Sequence, residues 1–324
     1  MTINYYLNDK MADIVPIVVS INHFYTYLQM KNILVGIVFA IFWASASAAT
    51  KIGLGSAEPF VLANVRFILA GLIMLAFAIF TKKSIKISKT ELGQLTIYGF
   101  LNVTLYLGAF VVAIKHVSAG IGSLSTATNP LFITILAAIL LKKNSKFHEW
   151  MGLVFGMTGV ILATYPLLKI SYADTEGLVI LLISMLSYSL GTVYYSSKVW
   201  NLDRLVINGW QVFLGGIMLL PLTLYFYEKE LNTFDLKFWL SVSWLIFPVS
   251  ILAVQLWLYL LSVDPVKASI WLFLCPIFGF LYSNLLLNEP VTWHTFAGTG
   301  IVLIGLFVGQ IEKFRKRQAT AIEG

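Results

Sequence analysis

The sequence predicts an all-α integral membrane protein with ten transmembrane helices arranged as two inverted five-helix repeats. Hydrophobic residues make up 59% of the 324-residue chain and charged residues 11%. The mean hydropathy is +0.85. An ordinary soluble domain is nearer half apolar and a quarter charged. Ten separate apolar runs reach spanning length, and the second half of the chain repeats the glycine and proline placement of the first at an offset of 145–146 residues. At about 20 residues per crossing, ten crossings consume roughly 200 residues, which leaves no room beside the bundle for a soluble enzyme domain.

The apolar runs fall at 32–50, 60–80, 92–114, 118–141, 150–168, 176–197, 206–227, 237–261, 266–287 and 293–311. Pro130 in the fourth and the paired Gly215 and Gly216 in the seventh predict kinks there. Ahead of the first run, residues 1–30 hold one short apolar stretch, Ile14 to Ile21, interrupted by Pro16. It is too short to span and lacks the basic start of a signal peptide, so this segment reads as a disordered or interfacial extension. Residues 31–170 form the first repeat, 171–311 the second, and 312–324 a basic tail.

Lys and Arg are retained in cytoplasmic loops, and their distribution orients the bundle. With the N-terminus inside, fifteen of the 22 basic residues fall on the cytoplasmic side, in clusters such as Lys82–Lys83–Lys86–Lys89 and Lys313–Arg315–Lys316–Arg317. Both termini are therefore expected in the cytoplasm of an inner-membrane protein. The net charge of +7 belongs to topology and anionic headgroups, not to nucleic acid. Cys275 is the only cysteine, which excludes a disulfide framework or a cysteine-based metal site.

In the repeat, Arg66, Ala70 and Gly71 fall on Gln211, Gly215 and Gly216. Pro130 falls on Pro276, Gly152 on Gly298 and Gly159 on Gly305. Because five is odd, the second copy enters the membrane from the opposite side, and inverted repeats of this kind are how secondary transporters build alternating access. Three stretches carry a family likeness between about Met30 and Gln310: Ile41-Phe42-Trp43-Ala44-Ser45 leading to Lys51, Pro59 with Asn64-Val65-Arg66-Phe67, and Asn288-Glu289-Pro290 followed by Gly298, Gly300 and Gly305. On these the chain resembles the EamA family of the drug/metabolite transporter superfamily. That resemblance implies a ten-helix inner-membrane carrier exporting small metabolites or amphipathic compounds, amino acids included. Lys143 stands where the first repeat would match Glu289, so the Glu-led turn occurs once.

All fifteen acidic residues and the four histidines lie in or beside loops. A proton-coupled carrier usually needs an intramembrane Asp, Glu or His; their absence predicts facilitated diffusion or exchange. Arg66 is the one charge inside a span, there either to snorkel outward or to face a cavity and hold a substrate carboxylate in a network with Asn64, Asn102 and Tyr106. Lys51 and Lys115 at span ends are expected to snorkel. Pro130 frees a backbone carbonyl one turn earlier in a stretch of small residues, Ser118 to Thr128, where polar backbone can meet substrate. Trp150, Trp200, Trp239 and Trp293 belong to interfacial belts, while deeper aromatics line an apolar cavity with Asn102, Asn129, Gln211, Gln255 and Asn284 as orienting groups. The substrate-binding candidates are Trp43, Arg66, Asn102, Tyr106, Asn129, Tyr188, Gln211, Gln255, Trp257 and Trp271.

No phosphate-binding G-x-x-x-x-G-K-[ST] loop, buried serine–histidine pair or metal-ligand cluster is present in the sequence. The chain is therefore expected to be no enzyme and to need no cofactor or metal. Its partners are a small-molecule substrate and the lipid bilayer, with no nucleic acid and no obligate protein partner. The rival reading is a nucleotide-sugar or sugar-phosphate antiporter of related architecture, which would need paired cations in its cavity.

Overall fold

The computed structural model describes residues 32–140, 147–169, 173–263 and 271–322. The predicted extension at 1–30 and Lys143 lie outside them. The described residues form ten helical passes: α1 (Asn32–Gly53), α2 (Pro59–Phe80), α3 (Lys89–His116), α4 (Ala119–Leu140), α5 (Phe147–Lys169), α6 (Thr175–Ser196), α7 (Arg204–Tyr225), α8 (Leu236–Leu260), α9 (Cys275–Leu287) and α10 (Trp293–Ile322). Seven are long and apolar enough to cross a bilayer by themselves, and α5 and α9 add shorter apolar stretches.

Helix starts follow from local chemistry. Pro59 opens α2 with a residue that has no N–H to satisfy. Ser88 and Glu91 form a reciprocal capping box on α3. The side chains of Ser118, Asp174, Asp203 and Asp235 accept backbone N–H groups at the starts of α4, α6, α7 and α8. Helix α9 stops at Asn288, which takes a left-handed conformation with φ 52°.

Packing displays the repeat. Helices α2 and α7, α4 and α9, α5 and α10, and α3 and α6 pair with one another, and α1 packs on α8 through Phe39, Ala40, Ala44, Ala253, Trp257 and Leu260. Moving every helix five places along the chain maps the first three pairs onto themselves and exchanges α3–α6 with α8–α1. That pattern is a pseudo-two-fold relation between two inverted repeats.

The matched glycines bring backbones into contact where α5 meets α10. A Cβ at Gly159 would lie 2.5 Å from the carbonyl oxygen of Gly298, and one at Gly298 would lie 2.5 Å from that of Gly159. The symmetry mates Gly305 and Gly152 approach likewise, at 2.8 Å. In lipid, close backbone approach replaces the hydrophobic effect as the source of helix association. Gly298→Ala is therefore expected to destabilise the bundle by about 1–3 kcal/mol through overpacking, read as a lower melting temperature in detergent. Gly300→Ala, where a Cβ would meet nothing within 4 Å, is the matched control and should not melt earlier than the parent.

Departures from α geometry recur at matching repeat positions. A π-helical stretch runs Phe100–Leu105 within α3 and another runs Leu245–Ala253 within α8. A 3-10 turn occupies Thr126–Thr128 within α4 and another occupies Leu272–Leu274 before α9. The 3-10 turns lie just ahead of Pro130 and Pro276, which can donate no hydrogen bond back to the preceding turn. No break marks Gly215-Gly216: α7 runs as one continuous helix from Arg204 to Tyr225. Its glycines serve close approach instead, Gly215 to Val103 and Gly216 to Phe67 and Ile68.

Candidate functional site

A narrow cavity lies between the repeats at mid-depth, lined by α1, α2, α3, α4, α7 and α8. One wall is aromatic and apolar: Trp43, Tyr106, Leu107 and Phe110. The other is polar: Arg66, Asn102, Asn208, Gln211 and Ser250. Both π-helical stretches deliver residues to it, Asn102 and Val103 from α3 and Val249 and Ser250 from α8. The 3-10 turn of α4 contributes Thr126. Such irregular segments cost helix hydrogen bonds and recur at functional positions.

Arg66 is 3% exposed. Its Nε donates to Ser250 Oγ at 3.0 Å, and its guanidinium lies 5.4 Å from the centre of the Phe67 ring. Lys83 pairs with Asp203 and His116 with Asp174, both at bundle ends; neither contact involves Arg66. Asn208 Nδ2 donates to the Ser250 carbonyl at 2.9 Å, Gln211 Nε2 to Asn208 Oδ1 at 3.0 Å, and Asn102 Nδ2 to Gln211 Oε1 at 3.0 Å. This amide chain is locked end to end, so the polar wall is rigid before any substrate arrives. Tyr188 stands behind the aromatic wall, its ring 4.8 Å from Tyr106 and 6.2 Å from Trp43.

Of the candidate residues, Trp43, Arg66, Asn102, Tyr106 and Gln211 line this cavity. The other five lie elsewhere, Tyr188 behind the aromatic wall. Trp257 stacks on Phe39 at 5.2 Å in the α1–α8 contact. Trp271 covers Gly36. Gln255 reaches the Arg204 carbonyl at the base of α7, at 3.5 Å. Asn129 is fully buried in α4, with neither side-chain amide atom hydrogen-bonded. Asn64 does not join Arg66; it donates to the Gly216 carbonyl and Thr223 on α7. Asn284 donates to the Glu289 carbonyl in the loop after α9. Asn208 and Ser250 escaped sequence reasoning. The signal for Asn208 is its i, i+3 spacing from Gln211, which places two amides on one helical face.

The ends of the bundle are tied across the repeats. At one end, Asn232 after α7 clasps the α1–α2 loop: it accepts from the Glu58 N–H at 3.0 Å and donates to the Glu58 carboxylate at 2.6 Å. Lys51 reaches the end of α3. Its Nζ donates to the Ile114 and Val117 carbonyls at 2.7 and 2.8 Å, capping the end of α3. Glu289 lies in a loop, as expected, yet is only 4% exposed; it accepts from the Ala119 N–H at 3.0 Å, from the Gly120 N–H at 3.4 Å and from Ser283. The Gly177 amide, and after it His116, hold the Asp174 carboxyl below the usual carboxylate range. At the opposite end Lys83 pairs with Asp203 at 2.8 Å, and Trp210 donates to the Ile85 carbonyl at 3.0 Å.

The model of the EamA-like transporter family matches residues 30–165 and again residues 175–309. The chain belongs to the EamA-like transporter family. The two matches coincide with the two halves of the pseudo-symmetric bundle. Similar EamA-like relatives include an uncharacterized transporter of Archaeoglobus fulgidus, 26% identical over 282 residues that cover 86% of this chain and 98% of that one. The uncharacterized inner membrane transporter YedA of Escherichia coli K12 is also 26% identical, over 285 residues covering 87% and 92%. A solved crystal structure superimposes with a TM-score of 0.65 at 15% identity, covering 88% of this chain and 98% of that one, and so shares the fold.

Proposed function

We propose that this membrane transporter is a secondary carrier that exports small metabolites or amphipathic compounds bearing a carboxylate, amino acids among them, by alternating access of the cavity between its repeats. The observation that carries this reading is Arg66: a buried cation lining the cavity, held on one edge by Ser250, with no carboxylate partner among the described residues. Burying an unpaired cation costs several kcal/mol, a cost that an incoming anion offsets. The guanidinium edge matches a carboxylate in bidentate geometry, and the aromatic wall suits an apolar body. The orientation we propose puts both termini in the cytoplasm of a cell-membrane protein.

Transport runs by facilitated diffusion or exchange, because the carboxylates whose side chains are described lie at helix ends and loops. Imposing a pH gradient across sealed vesicles should leave the rate within about twofold; acceleration abolished by an uncoupler would contradict this. A nucleotide-sugar or sugar-phosphate antiporter needs more than one cavity cation, and Arg66 is the one charged residue among those that line the cavity. Growing an overproducing strain and identifying metabolites enriched in the medium separates the two: carboxylates are expected, and enrichment of phosphorylated sugars alone would overturn the proposal.

A further inference from the structure

Apart from the central cavity, α4, α5 and α6 enclose a second concavity that opens sideways. Its walls are Met157, Val160 and Ile161 of α5 and Leu178, Leu182 and Met185 of α6. The rim faces lipid: Ile161 is 63% exposed and Val179 52%. The crevice is thus continuous with the hydrocarbon-facing surface of a multi-pass membrane protein. Hydroxyls in the lining belong to Ser125, Thr128, Tyr165 and Thr175; Ser125 and Thr128 already donate to backbone carbonyls of their own helix, Gly122 at 2.7 Å and Ser125 at 2.6 Å. The rest of the lining is apolar, and no charged side chain contributes to it.

We propose that this crevice is a binding site for one acyl chain of a membrane phospholipid. Length supports the assignment. The lined stretch of α6 runs from Thr175, at the helix start, to Met185, about 15 Å at 1.5 Å per residue. That is half the roughly 30 Å hydrocarbon core, the depth of a single leaflet. A chain lying there begins at the helix end where Asp174 meets His116, the level of headgroups, and ends near the bilayer centre.

The site touches the transport path through one element. Ser125 and Thr128 face the crevice while Ser123 and Thr126 face the central cavity, so the 3-10 turn of α4 is the partition between lipid and cavity. An acyl chain in the crevice buttresses that turn from behind.

The test uses the full chain in nanodiscs of phosphatidylethanolamine carrying a mid-chain diazirine on one acyl chain. After irradiation, labelled residues are mapped by mass spectrometry. Labelling is expected to concentrate several-fold on Met157, Ile161, Leu182 and Met185 relative to Leu224 and Leu285, which are 68% and 66% exposed on other helices. Val160→Trp and Met157→Trp, made separately so that failure of one to fold is not decisive, should each abolish the enrichment and leave the reference sites labelled. Uniform labelling around the belt overturns the proposal. So does enrichment that survives filling the crevice, or protein–protein cross-links across it, which would make the occupant a second copy of this chain.

Discussion

Arg66→Ala is expected to lower transport of the exported carboxylate about 10–100-fold, the equivalent of one or two charge-assisted hydrogen bonds, while the protein still inserts and folds. The side chain is 3% exposed and donates through Nε to Ser250. Removing it relieves a desolvated cation, so the melting temperature should stay level or rise. That pairing of outcomes separates a substrate-binding arginine from a structural one, whose loss would lower stability first. Arg66→Lys should recover only part of the rate, because an ammonium keeps the charge but not the planar fork that meets a carboxylate with two donors. Efflux from cells expressing each variant at equal membrane levels makes the measurement, and unchanged transport in Arg66→Ala would assign the residue elsewhere.

Glu289→Ala is expected to produce the largest loss of stability among single substitutions outside the cavity. Its carboxylate ties the loop after α9 in the second repeat to the first N–H groups of α4 in the first repeat, and Ser283 donates to it as well. Without it the buried N–H groups of Ala119 and Gly120 lose their acceptor, at about 1–3 kcal/mol each. Glu289→Gln keeps an oxygen acceptor but loses the charge that complements the positive end of α4, so its cost should be nearer 0.3–1 kcal/mol. Thermal unfolding in detergent ranks the three proteins in the order parent, Gln, Ala. Equal melting of Ala and parent would remove Glu289 from the contact between the repeats.

The membrane class and the repeat were legible because both rest on apolar runs and on glycine and proline, whose effects are local. Gly152, Gly159, Gly298 and Gly305 matched in sequence and meet as two symmetric backbone contacts. Pro130 and Pro276 announced the 3-10 turns. Nothing comparable announced the π-helical stretch at Phe100–Leu105, which contains no proline, although it aims Asn102 at the cavity. Candidate residues separated for a similar reason. Trp257 and Trp271 have the composition of cavity aromatics, but which face of a buried helix meets a cavity depends on rotation about its axis, and spans that are apolar all round carry little signal of that rotation. Ser250 and Asn208 show the converse, ordinary polar residues that become important only where α7 and α8 bring them against Arg66. Lys51 and Glu289 were placed correctly near span ends, yet their roles as caps come from partners more than sixty residues away.

Alternating access requires the cavity between the repeats to open in turn to both sides of the membrane. In a Cys275→Ala background, Ser47→Cys places one thiol on the cavity wall, at a position 3% exposed. Its modification by a membrane-impermeant thiol reagent is to be followed in right-side-out and inverted vesicles alike. Alternating access predicts labelling from both sides, with transport blocked once the thiol is modified. Labelling from one side alone, in a protein that still transports, would contradict it.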